Sequence, residues 1–283
     1  MRPVERLVIV GVGLVGGSLA AALAERGLAR NIVGVGRSAD NLARALGDGL
    51  ITESTSELAV ALEGADLVIL ATPVGTALEI LPELAAAAGP DTLISDVGSV
   101  KGPICALAED LGVGDRFVGG HPLAGGIATG ASAARAGLFE GTDVVLCRAA
   151  ATGASYERIA ELWQAVGARV SELGAAHHDR ALAVTSHLPQ LLASALALTA
   201  GRTDIDDLGF AGPALDEMTR VAASDTEMWR QICRANQGEL SGALGGFAAV
   251  LTELSEAIER GDDERLAQLF EEARLWRQRA KAK

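Results

Sequence analysis

The 283-residue sequence predicts an α/β fold: an N-terminal doubly wound, mostly parallel sheet followed by an all-helical C-terminal domain. Three observations predict it. A short apolar run, Leu7 to Val10, ends in a glycine cluster and leads into an apolar helical pattern. Strand-length apolar runs and helical patterns then alternate to about residue 173. From Ala175 onward only helical patterns remain. The predicted division is 1–174 for the sheet domain and 175–283 for the helical domain, joined by a continuous connection.

The first element is the strand ending at Val10, followed by Gly11-Val-Gly-Leu-Val-Gly16 and a helix over Leu19 to Arg26. Gly11 makes a tight turn, Gly13 admits a pyrophosphate close to the backbone, and Gly16 lets helix and strand pack closely. The free amides of the helix N-terminus then face the phosphates. Gly11, Gly13, Leu14, Val15 and Gly16 are therefore the candidate cofactor cradle of a Rossmann-type domain.

The second strand is Asn31 to Val35, continued by Gly36-Arg37-Ser38. Folds that bind NAD usually place a carboxylate here, on the adenosine ribose. No carboxylate precedes Asp40. Arg37 and Ser38 stand where a 2′-phosphate would be held, which favours NADP over NAD; the alternative is a solvated loop arginine.

Next come a helical Leu58 to Leu62 and a fully apolar strand, Leu67 to Ala71. Thr72-Pro73 breaks that strand at its carboxyl end, where ligands bind in such sheets. A helix over Thr76 to Ala88, a strand over Asp91 to Asp96, and a helix through Asp110 follow. The segment Val97-Gly-Ser-Val-Lys101 lies between the last two, so Ser99 is either a helix N-cap or a group facing the site. The strand Arg116 to Val118 then leads into Gly119-Gly-His-Pro-Leu-Ala-Gly-Gly126, read as a glycine-rich loop that holds His121 at the same sheet edge. An imidazole suits acid–base work at neutral pH. Strands over Asp143 to Cys147 and Ala168 to Leu173 flank a helix over Tyr156 to Val166. The helical domain reads as Ala181 to Ala200, Pro213 to Ala223, Met228 to Leu254 and Asp262 to Lys283.

Bulk properties narrow the function. The formal charge of −13 argues against nucleic acid or an anionic membrane surface as partner. Cys105, Cys147 and Cys233 show no zinc or redox spacing and read as thiols in a reducing compartment. The N-terminus runs straight into a strand pattern without a signal peptide, so a cytoplasmic protein is expected. Ala181 to Gly201 is apolar enough to span a bilayer. It holds Thr185, Ser186, His187, Pro189 and Gln190, however, and is expected to be a helix buried on all sides. His177, His178 and His187 cluster in sequence. Positions 178 and 187 face opposite ways on a straight helix, and no metal site is expected. Phe210-Ala-Gly-Pro213 and Met218 to Trp229 fit a ligand, with Arg220 either a carboxylate clamp or an ordinary surface arginine.

Several motifs together resemble the prephenate/arogenate (cyclohexadienyl) dehydrogenase family of tyrosine biosynthesis. They are Gly11-x-Gly-Leu-x-Gly-Gly-Ser18, Asp96-Val-Gly-Ser-Val-Lys101, Gly120-His-Pro-Leu-Ala-Gly125, His178-Asp179, Ser186-His-Leu-Pro189 and Thr219 to Trp229. The resemblance implies NAD(P)-dependent oxidative decarboxylation of prephenate, arogenate or both. It implies His121 as the base that takes the ring-hydroxyl proton, and Ser99 as its hydrogen-bonding neighbour. Arg220 would bind a substrate carboxylate, and His187 and Trp229 would line the pocket. A homodimer through the helical domain is implied, with Trp229 able to come from the partner subunit. Family members often read Ser-His-Leu-Pro-His, and here the last position is Gln190, which leaves both substrates open.

Two other readings remain at this point. A β-hydroxyacid-type dehydrogenase would use a lysine of the helical domain, but lysine occurs only at 101, 281 and 283. A non-catalytic dinucleotide sensor leaves Ser99, His121 and Arg220 without a role.

Overall fold

The computed structural model describes residues 2–126, 128–148, 150–202 and 212–281. Two compact units emerge, Met1–Gln237 and Gly238–Lys283. The division at 174/175 instead follows the change from sheet to helices.

The first unit is built on an eight-stranded sheet: β1 Val4–Val10, β2 Ala29–Val35, β3 Glu53–Thr55, β4 Leu67–Leu70, β5 Leu93–Asp96, β6 Phe117–Pro122, β7 Asp143–Cys147 and β8 Arg169–Glu172. Their order is β3-β2-β1-β4-β5-β6-β7-β8. All neighbours are parallel except β6 and β7, which pair antiparallel. The central strands are buried on both faces, which is why Leu67–Leu70 reads as an unbroken apolar run. Helices cover both faces: α1 Leu14–Glu25, α2 Ala39–Gly47, α3 Leu58–Leu62, α4 Val74–Ala87, α5 Gly102–Asp110 and α6 Gly153–Ala165. One core packs α1 and α6 on the sheet around Leu19, Leu23, Phe139 and Trp163; the other packs α3, α4 and α5 around Leu62, Leu81 and Phe117. Chain order reverses between β1 and β4, and a ligand crevice is expected at that switch point.

The second half of this unit carries α7 Ala175–Leu182, a π-helical turn Ala183–His187, α8 Leu188–Arg202, α9 Pro213–Thr219, a 3₁₀ turn Arg220–Ala223 and α10 Thr226–Ala235. The second unit holds α11 Gln237–Arg260 and α12 Asp263–Lys281. Gly261, at φ +62°, makes the turn between them, and Arg265 pairs with Glu253 at 2.6 Å.

Four expectations need correction. The Gly119-Gly120-His121-Pro122 segment is not loop; it continues β6 and is buried throughout. Its glycines serve close approach. A Cβ on Gly120 would stand 2.5 Å from the Asp96 carbonyl oxygen, and one on Gly119 would stand 3.0 Å from Cys105 Sγ. The helix expected over Met228 to Leu254 is broken at Asn236, whose side chain is turned inward to hydrogen-bond partners. The Ala175–Arg202 stretch reaches a mean hydropathy of 1.4 but is not buried on all sides. Its buried stripe includes His178, Asp179, His187 and Gln190, while Val184 and Leu198 are more than half exposed. Averaging over the segment hid the fact that four of its polar groups are buried while others, such as His177 and Thr185, are exposed. Finally, the alternation of strands and helices includes two further elements, α2 and β3, which are short and largely polar and carry no apolar run.

Candidate active site

A cleft of about 1020 Å³ opens at the β1/β4 switch point. Gly11, Gly13, Arg37, Ser38, Thr72 and Pro73 are among its walls. The three glycines differ in what their backbone and surroundings demand. Gly11 has φ +98°, in the region that favours glycine. A Cβ on Gly16 would collide with Gly11 O at 2.3 Å and Ala71 Cβ at 2.8 Å, so α1 sits against the sheet only because that Cβ is missing. A Cβ on Gly13 would meet nothing within 4 Å. Gly13 is the α1 N-cap and offers no side-chain cap, so the amides of Leu14 and Val15 are left for a ligand. Thr72 Oγ1 is buried without a hydrogen-bond partner among the described residues. Together these features fit a dinucleotide phosphate group.

At the other end of the cleft, Ser38 Oγ accepts a hydrogen bond from Asn41 N at 3.2 Å and caps α2. Its hydroxyl proton stays available. Arg37 makes no ion pair among the described residues and is exposed. Asn41 reaches back to the glycine turn, donating from Nδ2 to Val12 O at 2.7 Å.

His121 points from β6 into a buried polar network. Its Nδ1 is 2.8 Å from His178 Nε2, and the two rings meet edge to face at 5.1 Å between centroids. His178 Nδ1 is 2.7 Å from Asp179 Oδ1. The Asp179 carboxylate accepts from the Lys101 and Gly102 amides, each at 2.7 Å, at the start of α5. Lys101 is fully buried; its Nζ pairs with Asp96 and donates to Gly120 O at 2.8 Å. Asp96 also accepts from the Gly98 and Gly120 amides, at 2.8 and 3.1 Å. The pair thus locks the Gly119–His121 backbone against the end of β5. Burial, followed by the positive charge of Lys101 and then the neighbouring histidines, pushes the His121 pKa well below the ordinary imidazole value.

His187 is the second buried imidazole. Burial above all lowers its pKa to about 4. Asn236 Nδ2 lies 3.1 Å from its Nδ1, while its Nε2 is buried without a hydrogen-bond partner among the described residues. The Trp229 ring stands edge to face at 6.0 Å, and its Nε1 is likewise buried and unpartnered. Trp229 and His187 therefore meet within one chain. The π turn at Ala183–His187 shifts the helical register, so the straight-helix expectation for His178 and His187 fails. Asn236 links them through the Asp179 backbone. Among the described residues, no group of three or more His, Cys, Asp or Glu is arranged to hold a metal.

The remaining expected residues are placed less centrally. Ser99 is half-buried; it does not cap α5, whose N-cap is Lys101, and its backbone lies against His187. Its hydroxyl makes no hydrogen bond to His121 among the described residues. Gln190 Nε2 donates to Val221 O at 2.9 Å, tying α8 to the turn that begins with Arg220. Arg220 itself is exposed and without an ion pair among the described residues. Phe210 and Ala211 lie outside the described residues. Asp96, Lys101 and Asn236 were not singled out as site residues in the sequence. His178-Asp179 was visible as a motif without a role. Cys105 and Cys147 are buried, and burial raises both thiols to about 12.

Residues 19–172 match the nucleotide-binding domain of prephenate dehydrogenase, and residues 174–272 match its dimerization domain. A cyclohexadienyl dehydrogenase of Zymomonas mobilis is 33% identical, over 96% of this chain and 95% of its own length. Prephenate dehydrogenase from A. aeolicus, solved with hydroxyphenyl propionate and NAD+, superposes with a TM-score of 0.91 at 32% identity, covering 98% of each chain. Synechocystis arogenate dehydrogenase superposes with a TM-score of 0.82 at 27% identity, over 98% of this chain and 100% of its own. The chain is an oxidoreductase built to use a nicotinamide dinucleotide, and it belongs to the prephenate dehydrogenase family.

Proposed function

We propose that this enzyme catalyses the oxidative decarboxylation of prephenate, arogenate or both, to 4-hydroxyphenylpyruvate or tyrosine, with His121 as general base. The observation that carries this reading is a buried imidazole, held neutral, near the carboxyl end of β6, on the sheet edge to which β1 and β4 also bring their carboxyl ends. The bound nicotinamide supplies the hydride acceptor for the ring hydroxyl carbon. His121 takes the hydroxyl proton in the same event. The carboxylate on the opposite ring carbon then leaves as carbon dioxide, and its bonding pair completes the aromatic ring. The protein's work is to orient the substrate, keep water out and hold one proton acceptor in place.

The residue assignments follow the same reading. Ser99 orients the hydroxyl, Arg220 pairs with a substrate carboxylate, and His187 and Trp229 present buried N–H groups to the substrate. Gln190, which also holds the Arg220 turn through Val221 O, lies near the substrate side chain. Gly11, Gly13, Leu14, Val15, Gly16, Thr72 and Pro73 hold the cofactor. Arg37 and Ser38, with no carboxylate at the end of β2, favour NADP; NAD is the alternative. The working form is a cytoplasmic homodimer joined through the helical domain, 175–283. Supporting that last point are the exposed apolar side chains of α11 and α12, among them Val250, Leu251, Ile258, Phe270 and Trp276.

The deciding experiment is a four-way assay, prephenate and arogenate each with NAD and NADP, followed by reduced-cofactor absorbance. Turnover of at least one pair is expected, with NADP preferred. Folded, cofactor-binding protein that turns over neither substrate would remove the proposal.

A further inference from the structure

Asp179 is the hub of the buried network, although it faces no substrate. Its carboxylate accepts two amides at the start of α5, a site that favours an anion. Burial works to raise its pKa, but the hydrogen bonds from His178, Lys101 and Gly102 prevail and hold it below the usual carboxylate range. An ionised carboxylate only accepts. His178 Nδ1, at 2.7 Å, therefore carries a proton. A neutral His178 with that proton presents a lone pair at Nε2. His121 Nδ1 lies 2.8 Å away and must donate to it. A neutral His121 that donates from Nδ1 has a bare Nε2.

The second imidazole is governed from the other side of the same residue. The Asp179 backbone oxygen is an acceptor, so the Asn236 group 2.8 Å from it is the amide nitrogen. That nitrogen's second hydrogen points to His187 Nδ1 at 3.1 Å. His187 Nδ1 must accept, and the neutral ring carries its proton on Nε2. Among the described residues this atom is buried with no hydrogen-bond partner of good geometry, and the Ser99 backbone lies against the ring.

We infer that Asp179 is a positioning residue that sets the two pocket histidines in opposite tautomers: His121 with Nε2 free to take a proton, and His187 with Nε2–H free to donate to a substrate oxygen. The inference deepens the proposed function and rests on it for the identity of the substrate. It accounts for two histidines tied to one residue doing different work. It also makes His187 a neutral donor, not a cation, toward an anionic substrate.

The tautomers are read directly by two-bond ¹H–¹⁵N correlation on histidine-labelled full-length protein at pH 8, with cofactor bound. The expected spectrum shows the Nδ1–H form for His121 and the Nε2–H form for His187. Wild-type protein showing His121 as Nε2–H overturns the inference, whatever its turnover. Asp179→Asn removes the carboxylate that fixes the His178 proton on Nδ1, because the position shared by the Lys101 amide and His178 becomes either a carbonyl or an amide nitrogen. His121 should then lose its single Nδ1–H form, and kcat should fall about 10-fold or more with cofactor Kd unchanged. Asn236→Leu should release the His187 tautomer and raise substrate KM about 10-fold or more, with kcat changed less. Wild-type kcat in Asp179→Asn would exclude the positioning role. If Asp179→Asn fails to fold, the wild-type spectrum still decides the matter. Correct tautomers in a protein inactive on both substrates would instead defeat the proposed function and leave the tautomer assignment standing.

Discussion

Gly13 and Gly16 lie one helical turn apart in the same motif, yet the structure gives them opposite sensitivities. Consider Gly16→Ala. The new Cβ would stand 2.3 Å from Gly11 O and 2.8 Å from Ala71 Cβ. Both neighbours belong to the packed turn and sheet edge, so α1 must move outward. Overpacking of this kind costs about 1–3 kcal/mol, and the backbone contact puts it at the upper end, about 3. Alanine recovers about 1 kcal/mol of helix propensity. The net loss is about 2 kcal/mol, or about 3–4 °C in Tm for a chain of this size. Gly13→Ala is different. Its φ of −107° suits any residue, and the Cβ meets no protein atom within 4 Å. Stability should change by less than about 1 kcal/mol, the difference between glycine and alanine as N-caps. The methyl group would instead occupy space offered to the dinucleotide. Affinity should fall at least about 10-fold, or about 1.4 kcal/mol. Thermal unfolding without ligand and calorimetric titration with dinucleotide separate the two quantities. Wild-type cofactor affinity in Gly13→Ala, or wild-type Tm in Gly16→Ala, would refute the reasoning.

Three further outcomes are expected. With the His121 pKa well below 6.5, the base stays neutral through mildly acid conditions. The acid limb of kcat should therefore lie below pH 6.5, and a limb centred at or above 6.5 would contradict the assignment. The same shift has a stability consequence. The unfolded chain binds more protons below pH 6.5 than the folded one, so stability falls as pH drops below 6.5 and is insensitive to His121 above it. Lys101→Met leaves Asp96 buried without its cation. The Gly98 and Gly120 amides still donate, so the loss should be about 3 kcal/mol in urea unfolding, the lower end for a broken buried pair. Less than about 1 kcal/mol would show that the pair is not needed. Arg37→Ala should weaken NADP binding selectively; equal effects on NAD and NADP would remove Arg37 from cofactor choice.

The cofactor half of the site was legible in the chain because its determinants are local. A strand, three glycines at fixed spacing and a helix occupy consecutive residues, and their φ and packing demands follow from that order. The unbroken apolar runs likewise announced strands buried on both faces. The Gly119-Gly120 pair misled for a physical reason: glycine permits a turn, but it also permits a strand to press against a neighbour, and only the neighbour distinguishes them. The apolar character of Ala175–Arg202 misled because composition carries no direction.

Sequence by itself determined the sheet-then-helix architecture, the glycine turn between β1 and α1, and the histidine offered as candidate base. Only tertiary structure decided what that histidine faces. His121 and His178 are 57 positions apart, Lys101 and Asp179 are 78 apart, and Asp179 and Asn236 are 57 apart. A hydrogen bond needs two atoms within about 3 Å at a fixed angle, and no spacing along the chain encodes that. The π turn before His187 and the break at Asn236 bring these groups together, and each is a local irregularity whose reason lies in the contact it makes.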